Sequence, residues 1–283
     1  MQDAIARARL ERQGEVGKLP RYDQQRETSQ RGYKLPELDK PRVYAPQPRR
    51  PISTPPPENI EYTTTRRVRL NEALLEKNRV IASQHDDHRV ETYRKLRTRV
   101  LQTLDRNGWS TLAITSPLED AGKTLTAVNL AISLSHEVNH TVMLVDLDLK
   151  SPGVHTTLGV DVEWGLVDVV TGRVGLEHAL FNPSMPRMVV LPGKPLGRHS
   201  SEVLTSPGMK AMLREITTRY ASRLVVFDLP PLLRNDDALL FTPFADATLL
   251  VVEDGVNTPD EVERSQQMMQ HANLIGTILN KAR

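Results

Sequence analysis

The run Thr115-Ser-Pro-Leu-Glu-Asp-Ala-Gly-Lys-Thr124 sets a lysine and a hydroxyl directly after a glycine, where an apolar stretch gives way to a helical pattern. Residues of these types at this spacing make a phosphate-binding loop. Backbone N–H groups and a helix N-terminus surround the phosphates, the lysine reaches the β/γ-phosphates, and the hydroxyl binds Mg²⁺. Ala121, Gly122, Lys123, Thr124 and Leu125 are therefore the candidate nucleotide contacts. The match to G-x-x-x-x-G-K-[ST] is incomplete, because Pro117 stands where the first glycine belongs and Gly122 is the loop's only glycine. Two acidic segments add to it: Val142-Met-Leu-Val-Asp146-Leu-Asp148-Leu-Lys150 and Leu224-Val-Val-Phe-Asp228-Leu-Pro-Pro231. Carboxylates beside bound phosphates hold Mg²⁺ directly or through water. Taken singly, each aspartate also reads as a strand-end turn residue or a helix cap.

Such residues converge only if the chain between them delivers them to one edge. From residue 111 onward, apolar runs near 111 to 115, 141 to 147, 187 to 191, 223 to 228, 246 to 252 and 274 to 279 alternate with helical patterns over 123 to 136, 206 to 219, 235 to 241 and 259 to 271. This alternation predicts an α/β fold, a mostly parallel sheet covered by helices on both faces. Open sheets of this kind present ligand-binding residues at the carboxyl ends of their strands, so Asp146, Asp148 and Asp228 are expected beside Lys123 and Thr124. Upstream, residues 88 to 104 carry Val90, Tyr93, Leu96, Val100 and Leu104 at helical spacing, with a basic opposite face. Glu91, Arg94 and Arg97 fall three apart and align along one side of that helix.

Three segments follow from this pattern: a proline-rich basic tail over residues 1 to 65, a helical extension over 66 to 104, and a nucleotide-binding domain over 105 to 283. The tail holds nine of the twenty prolines and little apolar periodicity, so disorder is expected there apart from a short helix at 2 to 12. Charge divides along the chain: residues 1 to 104 hold 22 Lys/Arg against 14 Asp/Glu, and the remainder 15 against 21. The absence of cysteine excludes disulfides and cysteine metal sites. No apolar run reaches membrane-spanning length and the first residues lack the apolar core of a signal peptide, so a cytoplasmic location is expected, with any membrane association through a partner.

The set Ser116 to Thr124, Asp146-x-Asp148-x-Lys150 and Phe227-Asp-Leu-Pro-Pro231 resembles the Walker A, Walker A′ and Walker B motifs of bacterial tyrosine kinases, the BY-kinases. Glu91-x-x-Arg94-x-x-Arg97 is similar to that family's oligomerisation helix, and Leu191-Pro-Gly-Lys with Ser201-Glu-Val-Leu resembles its loop before the next helix. Residues 66 to 104 also resemble the subgroup associated with exosortase-type exopolysaccharide loci. The resemblance implies a P-loop NTPase fold, ATP and Mg²⁺ as cofactors, a homo-oligomer, and a membrane polysaccharide co-polymerase as partner at the inner face of the membrane. It implies phosphate binding by Lys123, metal binding by Thr124, Asp148 and Asp228, an adenine-side role for Asn280, and Asp146 as the base for an incoming tyrosine hydroxyl.

Three departures from the family pattern bear on chemistry. Autophosphorylating members end in a tyrosine cluster, whereas no tyrosine follows Tyr220 here. Asp120 stands where the loop ordinarily has glycine, which is expected to bring a carboxylate near the phosphates. Lys150 replaces an arginine, keeping the charge but losing the bidentate fork. The expected function is ATP-dependent tyrosine phosphorylation in exopolysaccharide or capsule biosynthesis, with Tyr22, Tyr33, Tyr44 and Tyr62 as candidate acceptors. Two alternatives stand beside it: a nucleotide-dependent scaffold that regulates the co-polymerase without phosphoryl transfer, and a positioning ATPase of the MinD/ParA type, which carries a lysine where this chain has Leu118. Nucleic-acid binding is not expected, because no recognition motif accompanies the basic residues.

Overall fold

Strand residues that are apolar on both faces demand a covering layer on each side, and the computed structural model of the chain shows both layers. It describes residues 64–84, 89–219 and 222–282. The helix expected over 2 to 12 and the four tail tyrosines lie outside the described residues.

A two-residue strand β1 (Arg66–Arg67) and a short helix α1 (Glu72–Lys77) lead to the long helix α2 (Val90–Asn107). Helix α2 runs three residues past its last apolar position, Leu104, because Asp105, Arg106 and Asn107 continue it in solvent until Gly108 stops it in the left-handed conformation (φ 65°). Strand β2 (Thr111–Thr115) then enters the phosphate-binding loop, and helix α3 (Lys123–Ser135) leaves it. Next come β3 (Thr141–Asp146) and three short helices, α4 (Val154–Leu158), α5 (Leu166–Val170) and α6 (Leu176–Ala179). The chain continues through β4 (Phe181–Asn182), β5 (Met188–Leu191), α7 (Ser200–Thr205) and α8 (Pro207–Thr218) to β6 (Arg223–Asp228). It closes with α9 (Asp237–Phe241), β7 (Ala247–Glu253), α10 (Pro259–Met268) and β8 (Leu274–Asn280).

The eight strands lie in the order β1-β4-β5-β3-β6-β2-β7-β8. Every pairing is parallel except β4 with β5. The six strands read from the sequence are all present. The two-residue strands β1 and β4 are too short to carry a periodicity, and β4 was not foreseen. Side chains alternate between two cores: Met143, Val145, Val225 and Phe227 pack under α8, while Val142, Leu144, Leu224 and Val226 pack under α3.

Helix α3 is buried from Thr126 to Ser135, since the sheet covers one side and α2 the other. Residues 66 to 84 and 89 to 104 therefore form a second layer over α3, with Leu75, Val80, Val100 and Leu104 sharing its core. One polar residue anchors this layer. Asn129 of α3 accepts from the Ile81 and Ala82 N–H groups at 2.8 and 2.9 Å and donates to the carbonyls of Arg79 and Leu125 at 3.1 and 3.0 Å. Asn78 reaches the other way, donating to the Thr157 carbonyl of α4 at 3.0 Å. Among the described residues no helix is long and apolar enough to cross a membrane.

Because Asn129 satisfies two buried N–H groups and two carbonyls at once, Asn129→Ala is expected to cost about 2–4 kcal/mol. A lowered urea midpoint, with loss of amide protection confined first to residues 79 to 84, is the measurement that checks it.

Candidate functional site

Parallel strands β2, β3 and β6 are neighbours and end at the same edge, with Asp146 in register with Asp228 and Ile114 with Asp228. That register brings the three motifs together. The loop after β2 is tied to the segment after β6 by backbone donors: Leu229 to Ile114, Leu232 to Ser116 and Leu233 to Pro117, at 2.9, 2.9 and 3.1 Å. Pro117 serves here as an acceptor, so the position needs no N–H. The Thr115 hydroxyl adds a donor to the Pro230 carbonyl at 2.8 Å.

Gly122 caps α3 with a φ of 93°, and a Cβ there would collide with the side-chain amide of Asn280. Backbone strain and close approach both demand glycine at this point. Asn280, at the end of β8, donates to the Ala121 carbonyl at 2.8 Å and so clamps the loop from the sheet edge. Asp120 also adopts the left-handed region (φ 59°), which aspartate tolerates better than most residues, and it is exposed. Its neighbour Glu119 faces Arg234 at 3.9 Å, both side chains being largely solvated.

Lys123, Asp146, Asp148 and Asp228 meet as the strand ends require. The Lys123 ammonium lies 2.9 Å from Asp148 Oδ2 and 3.4 Å from the Thr124 hydroxyl. The other Asp148 oxygen accepts from the Ser151 N–H at 3.1 Å. Asp146 is wholly buried and accepts three backbone N–H groups: Gly153 and Val154, both at 3.0 Å, and Asp148 at 3.2 Å. Gly193 covers it, since a Cβ there would lie 3.1 Å from the Asp146 carboxyl carbon. Asp228 differs in being buried with no well-formed hydrogen bond to either oxygen, although the Thr124 hydroxyl and the Lys123 ammonium are near enough to favour its charge.

Three buried carboxylates around one ammonium repel one another. Burial, then the charge of Asp228, raises the Asp146 pKa against its backbone donors. Burial also raises that of Asp228, against the opposing pull of Lys123 and Thr124. Burial works against the Lys123 ammonium, but the charges of Asp228 and Asp148 hold its pKa above the ordinary value. The Asp228 oxygens, which lack a well-formed hydrogen bond, and the excess of negative charge make the cluster fit for a divalent cation. Among the described residues no group of three or more His, Asp or Glu side chains makes a metal cage by itself. Mg²⁺ needs none, since it takes one or two carboxylates together with phosphate oxygens and water.

The spacing of Glu91, Arg94 and Arg97 puts all three on one side of α2, yet the structure divides them. Glu91 and Arg94 form an exposed pair at 3.8 Å. Arg97 is turned onto its own chain, with Nε 3.1 Å from Glu137 and Nη1 donating to the Ser133 carbonyl at 3.0 Å. Several contributors left no local signal in the sequence: the Gly153 and Val154 N–H groups, Gly193 over Asp146, and Asp237, which lies 3.7 Å from Lys150.

The charge crowding has a measurable consequence for the nucleotide-free protein. A carboxyl whose folded pKa lies above its unfolded value loses stability as pH rises from the unfolded to the folded pKa. Asp228→Asn escapes that loss. The variant is expected to melt with wild type near pH 4 and above it at pH 8, by about 2–4 °C for each kcal/mol relieved. Parallel melting curves of the two proteins across that pH range check the prediction.

No family model matches the chain. It is 29% identical over 209 residues to the tyrosine-protein kinase YwqD of Bacillus subtilis, a match that covers 73% of this chain and 86% of that protein. It is 32% identical over 197 residues to the succinoglycan biosynthesis transport protein ExoP of Rhizobium meliloti, covering 68% of this chain and 25% of that protein. The chain thus spans only about a quarter of the length of ExoP and of several other relatives it matches. Among solved structures, the kinase domain of the Escherichia coli tyrosine kinase ETK superposes with a TM-score of 0.66 at 26% identity, over 77% of this chain and 91% of that one. Pyrococcus horikoshii MinD, complexed with Mg-ADP, shares the fold alone, with a TM-score of 0.50 at 23% identity over 60% of this chain and 69% of that one. The P-loop architecture, the convergent Lys123 and strand-end aspartates, and these relatives together place the chain in the bacterial tyrosine-kinase (BY-kinase) family.

Proposed function

We propose that the chain binds Mg-ATP at this site and transfers the γ-phosphoryl group to a protein tyrosine, as part of exopolysaccharide or capsule biosynthesis. The observation that carries the reading is the meeting of Lys123, Thr124 and Asp148 with the buried Asp228 at one strand edge. Lys123 and the backbone N–H groups that open α3 would hold the phosphates. Thr124, Asp148 and Asp228 would hold Mg²⁺, which would supply positive charge to offset the negative charge developing on the phosphates. The Lys123–Asp148 ion pair is then the resting partnership of the nucleotide-free site. That pair would have to open for Lys123 to meet phosphate and Asp148 the metal.

Asp146 is the group assigned to take the tyrosine proton. Its raised pKa suits a base working near neutral pH. Its three backbone donors fix its orientation, and with Gly193 and the 153 to 154 backbone against it an acceptor hydroxyl would need room opened beside it. Phosphoryl transfer needs no covalent nucleophile beyond this, since positioning and charge neutralisation dominate. The partner in this reading is a membrane polysaccharide co-polymerase that recruits a homo-oligomer of the chain to the inner membrane face.

The closure over Asp146 favours one other reading, a nucleotide-dependent scaffold on the co-polymerase that transfers nothing. The two separate in one experiment, in which purified protein with Mg-ATP, alone and with its membrane partner, is assayed for phosphotyrosine. Lys123→Met is expected to abolish the signal. Asp146→Asn is expected to lower it by about 10²–10⁴-fold while leaving nucleotide binding intact. Mg-ATP-dependent assembly with no label on any protein would instead establish the scaffold.

A further inference from the structure

Asp237 is a buried carboxylate that the proposed reaction does not use. It is fully buried at the start of α9, nine positions beyond Asp228. Its two oxygens accept the hydroxyls of Ser200 and Ser201, each at 2.6 Å, and Oδ2 lies 3.7 Å from the ammonium of Lys150. The Asn235 side chain accepts the Asp237 N–H at 3.0 Å and so sets the turn that aims the carboxylate.

These contacts close a ring around the phosphate site. The phosphate-binding loop is laced to residues 229 to 233 by backbone hydrogen bonds. The chain runs on from there to Asp237, Asp237 faces Lys150, and Lys150 stands two residues beyond Asp148, the partner of Lys123. The fourth side of the ring is the 192 to 199 segment, which covers Asp146 through Gly193. It is tied to the neighbour of Lys150 by the Leu196 N–H to Leu149 carbonyl bond at 2.8 Å. That segment runs into Ser200 and Ser201, the two hydroxyls that Asp237 accepts.

The two hydroxyls donate to different oxygens, which a carboxylate accepts and a side-chain amide, with its single acceptor oxygen, does not. A full charge buried to this depth is costly unless it has an opposite charge to hold. The Lys150 side chain keeps 40% of its surface exposed, so without a partner its ammonium would sample many positions. We propose that Asp237 is a positioning residue: it holds the Lys150 ammonium at the phosphate-transfer edge and locks the segment covering Asp146 to that edge. The proposal rests on the phosphoryl-transfer reading, because only there does the placement of Lys150 affect a rate.

The test uses the full chain and two readouts, one of which needs no turnover. The first is the acetylation rate of Lys150 by acetic anhydride, followed by mass spectrometry against exposed Lys210 as internal reference. Asp237→Asn is expected to raise it several-fold, and an unchanged rate overturns the proposal even if wild type transfers no phosphate. The second readout is steady-state transfer from Mg-ATP. Asp237→Asn, Lys150→Gln and the double variant are each expected to lose about tenfold in kcat, with KM for ATP within about twofold and the double no worse than either single variant. Lys150→Arg is expected to keep at least half of the wild-type kcat. Full kcat in Lys150→Gln, or losses that multiply in the double variant, overturns the proposal. Lys150→Gln changes a half-exposed side chain, so the decision survives if Asp237→Asn does not fold. Absence of transfer in wild type counts against the phosphoryl-transfer reading alone, and the acetylation result still decides the position of Lys150.

Discussion

Three aspartates buried around one lysine set the terms for the rest of the molecule. Asp146, Asp148 and Asp228 are each nearly or fully inaccessible, and Lys123 is the ammonium among them. Such crowding is unfavourable in the resting protein and is resolved unequally. Asp146 is held by three backbone donors and Asp148 by Lys123 and the Ser151 N–H, while Asp228 keeps both oxygens open. The site therefore has one satisfied carboxylate, one engaged in an ion pair that can exchange, and one that feels Lys123 and Thr124 without a well-formed hydrogen bond. That gradient suits a place where phosphate and a divalent cation arrive together.

The surrounding fold keeps such a cluster from relaxing. Strands β2, β3 and β6 are central and covered on both faces, so their ends do not move apart without disturbing two cores. The loop after β2 is stitched to the segment after β6 on one side and clamped by Asn280 on the other. From the N-terminal side, residues 78 to 82 join the two helices that flank the phosphate site, through Asn129 on α3 and Asn78 beside α4. The extension thus belongs to the site's support as well as to the surface of α2.

The legibility of these features in the sequence follows from their range. The six longer strands and the main helices were readable because each is a run of apolar residues with its own period, as in Leu224-Val-Val-Phe227 or Val90 to Leu104. Lys123, Thr124 and the strand-end aspartates were readable because their chemistry depends on local spacing and on a general rule about strand ends. The four-residue helix α6 and the two-residue strand β4 were not, because neither is long enough to show a period. The common alignment of Glu91, Arg94 and Arg97 was a fair inference from a helix in isolation. It missed the inward turn of Arg97 because Ser133 comes from the last turn of α3 and Glu137 from just beyond it.

By itself the sequence determined the layered parallel fold, the loop that meets phosphate and the identity of the charged groups at its rim, since period and motif are properties of contiguous residues. The tertiary structure alone decided how those charges are paired: which aspartate takes Lys123, which is capped by backbone, and which is left open. It also decided that Asp237, 87 residues from Lys150 along the chain, faces it across the site. Pairing of this kind depends on distances between strand ends and on what lies over them, and no stretch of contiguous residues encodes it. The single glycine of the loop belongs to both: Gly122 is named by the motif, but only the packed Asn280 amide shows why no side chain fits there.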